Sequence, residues 1–232
     1  MCGRYTLTAS PDELAYRFGV EFDGSVAPRY NCAPGQRLPI VAAGTDSAEL
    51  CTWGLIPGWA EDRSTSFINA RAETVREKRS FADAYESRRC LVPADGFYEW
   101  FDEGDERQPY RVALEGDRPF AMAGIRERWT PPTRQATLGG FDGGDGPDAD
   151  PDPIETFAVL TTEPNDLVAD LHHRMAVVFA PDEEERWLRG SPDEAATLLD
   201  PYPADDMYAH PVSSRVNDPG VDDPSLIRDV SG

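Results

Sequence analysis

Prolines and glycines divide this chain into short segments, and most of those segments have the composition of β-strands. The 232 residues include 21 prolines and 19 glycines, and the stretches between them are rich in β-branched and aromatic side chains. Few stretches are long enough to be crossover helices, so the pattern predicts mostly antiparallel sheet. We predict strands at residues 4–8, 49–55, 90–92, 96–101, 110–114, 120–125, 156–161 and 175–179.

The helices are predicted to be short and peripheral. Residues 10–13, Ser-Pro-Asp-Glu, form a capping box with proline at the first helical position, and Gly19 suits the C-terminal cap. The same pattern recurs at residues 191–194. Further helices are predicted at residues 80–88, 165–171, 182–189 and 192–199. The fold class is therefore α+β, with twisted, mostly antiparallel sheets and short helices around them.

Two segments lack these patterns. Residues 131–153 are dominated by glycine, aspartate and proline and cannot bury apolar area, which predicts an acidic flexible insertion. Residues 223–232 are expected to fray. Residues 1–222, with the insertion inside them, are predicted to form one domain, because a chain of this length supports one substantial core.

The charge is strongly acidic. The formal net charge is −21, and Lys78 is the only lysine among 22 basic residues. Acid excess with almost no lysine keeps a protein hydrated in molar salt, so we expect a protein of a high-salt cytoplasm. The hydrophobic content of 40% argues against an acidic disordered chain.

The four cysteines have neither CxxC spacing nor a histidine at a zinc-ligand interval. We therefore expect reduced thiols, no metal and no cofactor. No apolar run approaches the ~20 residues of a membrane-spanning helix, and no secretory signal is visible. We expect a monomer by default.

Cys2 directly follows Met1, so removal of that methionine would leave an α-amine and a β-thiol on adjacent carbons. The amine can condense with an aldehyde, and the thiol can then close a five-membered thiazolidine. The same terminus could instead be an acyl-transfer nucleophile with its own amine as base. An inert thiol near the start of the chain is the third interpretation.

Three further polar groups stand out, each with an ordinary alternative. Asn69 and Arg71 are two residues apart and would share one side of an extended segment, although Asn69 could cap a turn. Glu99 lies among aromatic residues, where burial would raise its pKa, although an arginine on a neighbouring strand could pair with it. His172 and His173 precede a predicted strand, and at least one is expected to be an ordinary histidine.

Taken in order, seven blocks of the sequence resemble those of a known family. They are Cys-Gly-Arg-Tyr at residues 2–5, Tyr-Asn-Cys-Ala-Pro at 30–34, Trp-Gly-Leu-Ile-Pro-Gly-Trp at 53–59, Ile-Asn-Ala-Arg-Ala-Glu-Thr at 68–74, Gly-Phe-Tyr-Glu-Trp at 96–100, His-His-Arg-Met at 172–175 and His-Pro-Val-Ser at 210–213. The family is SRAP, the "SOS response-associated peptidase" domain that shields abasic sites in single-stranded DNA. The resemblance covers residues 2 to about 217 and implies a barrel-like fold.

The resemblance implies a covalent DNA–protein crosslink. Cys2 would capture C1′ of the ring-opened abasic sugar as a thiazolidine, and Asn69 would orient its amine. Glu99 would relay protons, and His172 would assist ring opening and slow reversal of the crosslink. His172 is chosen over His173 because its spacing to the following arginine matches the family. Ala176 replaces the proline that usually follows methionine in this block.

The resemblance also implies a surface for single-stranded DNA, including junctions with duplex. Arginines suit phosphates, and tryptophans suit stacking on bases or wedging a junction. Core packing is an equally open interpretation of Trp53 and Trp100. Because the net charge opposes DNA binding, we expect the arginines to cluster in one groove. The implied surface comprises Arg4, Arg71, Arg174, Trp53, Trp59, Trp100, His210 and Ser213.

Two other classes of function stay open. An N-terminal-nucleophile amidohydrolase would use Cys2 as an acyl nucleophile and would need an oxyanion hole. A non-covalent module that binds single strands or junctions would not depend on Cys2. Apart from the family name, the sequence offers no indication of peptidase activity beyond removal of Met1.

Overall fold

Two β-sheets make up most of the computed structural model, which describes residues 2–24, 26–103, 106–132 and 152–231. The strands are β1 (Tyr5–Leu7), β2 (Arg29–Cys32), β3 (Arg37–Ala42), β4 (Glu49–Trp53), β5 (Asn69–Arg71), β6 (Arg89–Ala94), β7 (Gly96–Glu103), β8 (Glu106–Leu114), β9 (Phe120–Trp129), β10 (Ile154–Thr162), β11 (Met175–Ala176), β12 (Val178–Phe179) and β13 (Met207–Pro211). The α-helices are α1 (Pro11–Phe18), α2 (Ala82–Ser87), α3 (Asp166–Ala169), α4 (Glu184–Arg189) and α5 (Pro192–Ala196).

The larger sheet closes into a five-stranded barrel. Its order is β10-β4-β3-β6-β9, and β9 pairs back onto β10. β5 and β11 add to β10, and β12 adds to β9. β10 runs parallel to β4 and β5, whereas the other ladders between the described strands are antiparallel. Closure leaves the five barrel strands without an unpaired edge between them.

The smaller sheet carries the start of the chain. Its order is β13-β8-β7-β1-β2, and Tyr5 of β1 pairs with Phe97 of β7. The ring of Tyr5 packs on Trp53 at a centroid distance of 5.2 Å, and Trp53 stacks on Phe157 at 6.2 Å. All three side chains are buried. This aromatic contact fixes the first strand against the barrel.

The predicted α+β fold with mostly antiparallel sheets and short helices is confirmed. Each predicted strand has a counterpart, but residues 175–179 form two short strands that pair with different partners, β10 and β9. Strands β2, β3, β5 and β13 were not among the predicted strands, and Pro39 inside β3 explains one of these omissions. The helices are shorter than predicted, although both capping boxes are present.

The C-terminal segment differs from the frayed tail expected for residues 223–232. Residues 224–227 form a 3-10 turn whose Leu226 is fully buried, and the amide of Val230 donates to the carbonyl of Pro211. Three apolar residues among ten, Leu226, Ile227 and Val230, gave too little periodicity to predict this anchor. Most of the predicted insertion, residues 133–151, lies outside the described residues. Among the described residues, no helix has the length and apolar character needed to cross a membrane.

Candidate active site

Cys2 is fully buried just before β1. Asp95 holds this part of the chain, because it accepts hydrogen bonds from Thr6 Oγ1 at 2.5 Å and from Thr8 Oγ1 at 2.9 Å. Arg111 lies against Asp95 and donates to its carbonyl at 2.8 Å. Buried polar groups with this many partners restrict movement of the strand. The position of Cys2 therefore depends on the hydrogen bonds of Asp95, which lies between β6 and β7.

Asn69 lies next to Cys2. Its Nδ2 donates to the Cys2 carbonyl at 2.9 Å. Its Oδ1 is buried and accepts no hydrogen bond from the described residues, so an amine at Cys2 would supply a fitting donor. As predicted for an extended segment, Asn69 and Arg71 flank the buried Ala70, and Arg71 is exposed.

Glu99 lies on β7, the strand that pairs with β1, and its side chain is 1% exposed. Burial raises its pKa from 4.5 to about 7, against the opposing charge of the amino terminus and a hydrogen bond from it. The pKa of the Cys2 thiol is also raised, first by burial and then by the charge of Glu99. The Cys2 thiol and the Glu99 carboxyl therefore share one environment.

His172 follows α3 and reaches the same place. Its Nδ1 lies 3.9 Å from Glu99 Oε2. The same nitrogen lies 3.0 Å from the amide N and 3.1 Å from the carbonyl O of Arg174, so one residue's backbone can partner either tautomer. The ring of His173 packs on that of His172 at a centroid distance of 4.2 Å, and His173 is exposed. The histidine nearer Glu99 is therefore the one that the sequence selected.

The fold thus brings together the four residues predicted to act in the chemistry. They come from the two sheets and from the loop after α3, and Cys2 and His172 are far apart in the chain. The cluster offers an acceptor for an amine, a buried thiol and a carboxyl able to exchange protons near pH 7. Such a set suits condensation of an amine and a thiol with a carbonyl.

The predicted phosphate-binding arginines occupy different surroundings. Arg71 is exposed. Arg4 is partly buried, donates from Nη1 to the Gly3 carbonyl at 2.7 Å, and its Nε has no hydrogen-bond partner among the described residues. Arg174 is 8% exposed and binds Glu73 through both terminal nitrogens, at 2.5 and 2.9 Å. Arg71 and Arg4 are therefore available to a ligand, whereas Arg174 is occupied within the protein.

The three tryptophans also differ. Trp53 is 1% exposed and donates to the Ile68 carbonyl, which favours core packing. Trp59 is 43% exposed, with the guanidinium of Arg79 5.3 Å from its ring. Trp100 alternates with Glu99 along β7 and packs on the opposite face of the strand, where its Nε1 donates to the Asn217 side chain. Trp59 is therefore the most exposed of these three tryptophans.

His210 contacts the C-terminal segment, and Ser213 caps the short 3-10 turn that follows it. His210 Nε2 lies 3.0 Å from the Ile227 carbonyl, and Ser213 accepts a hydrogen bond from the Arg215 amide. β13, which carries His210, is separated from β1 by β8 and β7. The structure does not bring these two residues to Cys2.

Asp95 and Glu73 were missed as parts of this site, although both lie inside the quoted blocks or next to them. The glycine after Asp95 was the available signal, because a glycine within a strand often marks a close approach. A Cβ added at Gly96 would lie 2.7 Å from Arg111 Nε and 2.9 Å from Thr6 Oγ1. Nothing in the sequence indicated that Glu73 would pair with an arginine 101 positions away.

Comparisons with known proteins cover nearly the whole chain. A sequence model described as SOS response associated peptidase (SRAP) matches residues 1–219. Abasic site processing protein YoqW of Bacillus subtilis (strain 168) is 39% identical over 98% of this chain and 99% of its own length. Abasic site processing protein HMCES of Gallus gallus is 30% identical over 88% of this chain and 67% of its own length. A crystal structure of a protein from Bacteroides thetaiotaomicron superposes with a TM-score of 0.84 at 28% identity, covering 99% of this chain and all of that one.

Proposed function

Because the chain belongs to the SRAP family, we propose that it processes abasic sites in DNA by bonding Cys2 covalently to the sugar. The relatives at 39% and 30% identity are both named abasic site processing proteins. The observation that carries the proposal is the meeting of Cys2, Asn69, Glu99 and His172 at one place.

The reaction begins with the amine. An α-amine with a pKa near ~7.7–8.0 is partly neutral at pH 7 and adds to the aldehyde of the ring-opened sugar. The carbinolamine loses water to give an imine, and the thiol then adds to the imine carbon. The thiol proton ends on the ring nitrogen, so the net change is thiazolidine formation with release of one water. Because the pKa of the Cys2 thiol is raised, the thiol acts second and needs a proton acceptor.

Glu99 suits both proton transfers. With a pKa of about 7 it is a mixture of acid and carboxylate at neutral pH. The acid can protonate the departing hydroxyl, and the carboxylate can accept the thiol proton. His172, 3.9 Å from Glu99, is suited to exchange protons with the sugar hydroxyl during ring opening. Asn69 Oδ1 would hold the amine.

The DNA partner follows from the same chemistry. A ring-opened aldehyde is most accessible in a single strand, so we propose single-stranded DNA and its junctions with duplex as substrate. Arg71 and Arg4 would bind phosphates, and Trp59 would stack on a base. In the proposed high-salt cytoplasm the screening length falls to ~3 Å, so short contacts and the covalent bond would replace long-range attraction. We propose that the protein acts as a monomer.

The raised pKa of the Cys2 thiol argues against the amidohydrolase hypothesis. An acyl nucleophile attacks as a thiolate, and burial of Cys2 raises the pKa of its thiol instead of lowering it. The hypothesis of a non-covalent module gives no role to the shared environment of Cys2 and Glu99. Neither alternative uses the Asn69 contact to the Cys2 carbonyl.

The test mixes Met1-free protein with a single-stranded oligonucleotide that carries one abasic site, in molar potassium chloride. We expect a heat-stable adduct on a denaturing gel, with an intact mass equal to protein plus DNA minus one water. Cys2→Ala should form none. Cys51→Ala is the matched control, because it removes a buried thiol elsewhere and should react like the wild type.

The outcomes separate the hypotheses. Absence of an adduct, with loss of Met1 verified by mass, would refute the covalent mechanism. Release of ammonia from glutamine by wild type and not by Cys2→Ala would instead support the amidohydrolase. DNA binding that is unchanged by Cys2→Ala and never becomes covalent would support the non-covalent module.

A further inference from the structure

Asp95 is 1% exposed and binds the first strand and the segment after it. Its Oδ1 accepts a hydrogen bond from Thr6 Oγ1 at 2.5 Å. Its Oδ2 accepts three hydrogen bonds, from the amide and the hydroxyl of Thr8 and, at 3.0 Å, from the amide of Ala9. The Asp95 amide donates to the Thr6 carbonyl at 2.9 Å. One buried residue therefore holds this part of the chain through both its backbone and its side chain.

Arg111 holds Asp95 in turn. Its Nη2 donates to the Asp95 carbonyl at 2.8 Å and lies 3.7 Å from Asp95 Oδ1. Its Nη1 donates to Asp117 at 2.6 Å, and the Tyr208 hydroxyl donates to the same Asp117 oxygen. Hydrogen bonds to charged groups are stronger than neutral ones, so Arg111 limits the positions open to Asp95. We name Asp95, Arg111 and Thr6 the Asp95 network.

The Asp95 network matters because the ladders of β1 are short and irregular. β1 has three residues, and its described ladder with β7 consists of two pairs, at Tyr5 and Thr6. Its ladder with β2 is irregular between Tyr5 and Leu7. A slip of one residue would turn every side chain of the strand to the opposite face. Thr6 pairs with Gly96, the residue after Asp95, so the bonds between Asp95 and Thr6 select one register.

The same register places Cys2 beside Glu99. The Tyr98 amide donates to the Arg4 carbonyl at 3.0 Å, so the two strands are joined two residues after Cys2 and one residue before Glu99. After burial, the charge of Glu99 is the next cause that raises the pKa of the Cys2 thiol, so the two groups are close. A slip of β1 would separate them.

We propose that Asp95 and Arg111 are positioning residues that fix the register of β1 on β7 and thereby hold the Cys2 thiol beside the Glu99 carboxyl. This inference rests on the proposed crosslinking function. Asp95 and Arg111 are 1% and 2% exposed, so they are enclosed within the protein and out of reach of DNA. Their loss should therefore slow formation of the covalent bond and leave the affinity for DNA unchanged.

Asp95→Asn tests the proposal in the full chain without Met1. The variant keeps the shape of the side chain but replaces one acceptor oxygen with a donor, so the bonds to Asp95 cannot all form. The dissociation constant is measured with an oligonucleotide carrying a tetrahydrofuran abasic analogue, which has no aldehyde and cannot crosslink. The crosslinking rate is measured with a true abasic site at saturating protein. We expect an unchanged dissociation constant and a rate reduced roughly 10- to 100-fold, because misplacement of reacting groups by about 1 Å costs up to ~100-fold.

Thr6 offers a matched pair of variants. Thr6→Val removes the hydroxyl that donates to Asp95 and keeps the shape of the side chain, so the crosslink should form more slowly. Thr6→Ser retains the hydroxyl and should recover most of the rate. Glu184→Gln is the control for stability, because it weakens another buried carboxylate–arginine pair, that with Arg17 at 2.5 Å. It should crosslink like wild type.

Thiol labelling reports the position of Cys2 without relying on the crosslink. Cys2, Cys51 and Cys90 are fully buried, so iodoacetamide should alkylate all three slowly in wild type, with the sites located by mass spectrometry. In Asp95→Asn we expect faster alkylation of Cys2 and unchanged alkylation of the other two. Equal acceleration at all three cysteines would mean a general loss of stability and would overturn the inference.

The remaining outcomes are equally decisive. Equal crosslinking rates for Asp95→Asn and wild type would refute the positioning role, and so would weaker binding of the tetrahydrofuran oligonucleotide at an unchanged rate. If Asp95→Asn does not fold, the Thr6 pair replaces it, and equal rates for Thr6→Val and Thr6→Ser would contradict the proposal. If wild type forms no crosslink, the proposed function fails, and labelling of Cys2 still decides whether Asp95 fixes the strand.

Discussion

Glu99 provides a prediction that links stability to function. Its pKa is raised from 4.5 to about 7 in the folded chain because the carboxyl is buried. Below pH 4.5 the side chain is neutral whether the chain is folded or unfolded, and it has no effect on stability. Between pH 4.5 and 7 the unfolded chain ionises while the folded chain keeps its proton, so stability falls as pH rises. Above pH 7 the whole decrease in the free energy of unfolding that Glu99 causes is present.

The size of the loss follows from the two pKa values. At about 1.36 kcal/mol for each pKa unit, the difference between 4.5 and about 7 corresponds to roughly 3 kcal/mol. Glu99→Gln removes the ionisation and keeps the shape. We therefore expect the free energy of unfolding of Glu99→Gln, relative to wild type, to rise by up to roughly 3 kcal/mol between pH 5 and pH 8.5. The crosslinking rate should fall, because the amide cannot exchange protons.

Urea unfolding at several pH values measures this difference. At a slope near ~3 kcal/mol per molar, the separation of midpoints should grow by about 1 M between pH 5 and pH 8.5. Glu163→Gln, an exposed substitution, should give a pH dependence parallel to wild type. Parallel curves for Glu99→Gln and wild type would refute the reasoning, because a carboxyl with a pKa of about 7 cannot leave stability independent of pH.

Three further predictions concern other parts of the molecule. Trp59→Ala should weaken binding of the tetrahydrofuran oligonucleotide by about 1–3 kcal/mol in a fluorescence titration and leave the melting temperature unchanged; an unchanged affinity would remove Trp59 from the DNA surface. Trp53→Ala should cost about 3–5 kcal/mol in urea unfolding, because its ring is buried between Tyr5 and Phe157, and a loss below 1 kcal/mol would contradict that placement. Leu226→Ala should destabilise the protein by about 2–5 kcal/mol, whereas the exposed Val230→Ala should have little effect; equal effects would mean that the C-terminal segment is not anchored by Leu226.

Local chemistry made much of the fold predictable. Both capping boxes, with proline after serine, are present at α1 and α5. The β-branched and aromatic runs became strands, since their side chains fit a half-buried pleated surface. β2 was missed because it is short and has arginine and asparagine in it, and its Asn31 is satisfied by carbonyls of the distant residues 216, 218 and 221. Such long-range partners leave no periodic signal.

The sequence suggested the chemical role of each active-site residue, but it did not show that these residues lie next to one another. A cysteine at the second position and a carboxyl among aromatic residues suggested their chemistry before any contact was known. Barrel closure and the packing of β1 on β7 decide that Cys2, Asn69, Glu99 and His172 meet. The surroundings of Arg174 could not be predicted from its residue type. Its pairing with Glu73 depends on the register between β5 and β10, which the sequence does not show.

The pairing of β1 with β7 has a consequence for biosynthesis. Tyr5 pairs with Cys32 of β2 and with Phe97 of β7, so the ribosome must add roughly 90 more residues before the first strand has both neighbours. At ~5–20 residues per second, β7 and Glu99 follow the first strand by roughly 5 to 20 seconds, and Cys2 is not enclosed by them until then. An aminopeptidase acting on the nascent chain would therefore meet a free, extended end. Once β7 has been synthesised and pairs with β1, the Cys2 thiol is buried, and removal of Met1 by an aminopeptidase must already have taken place.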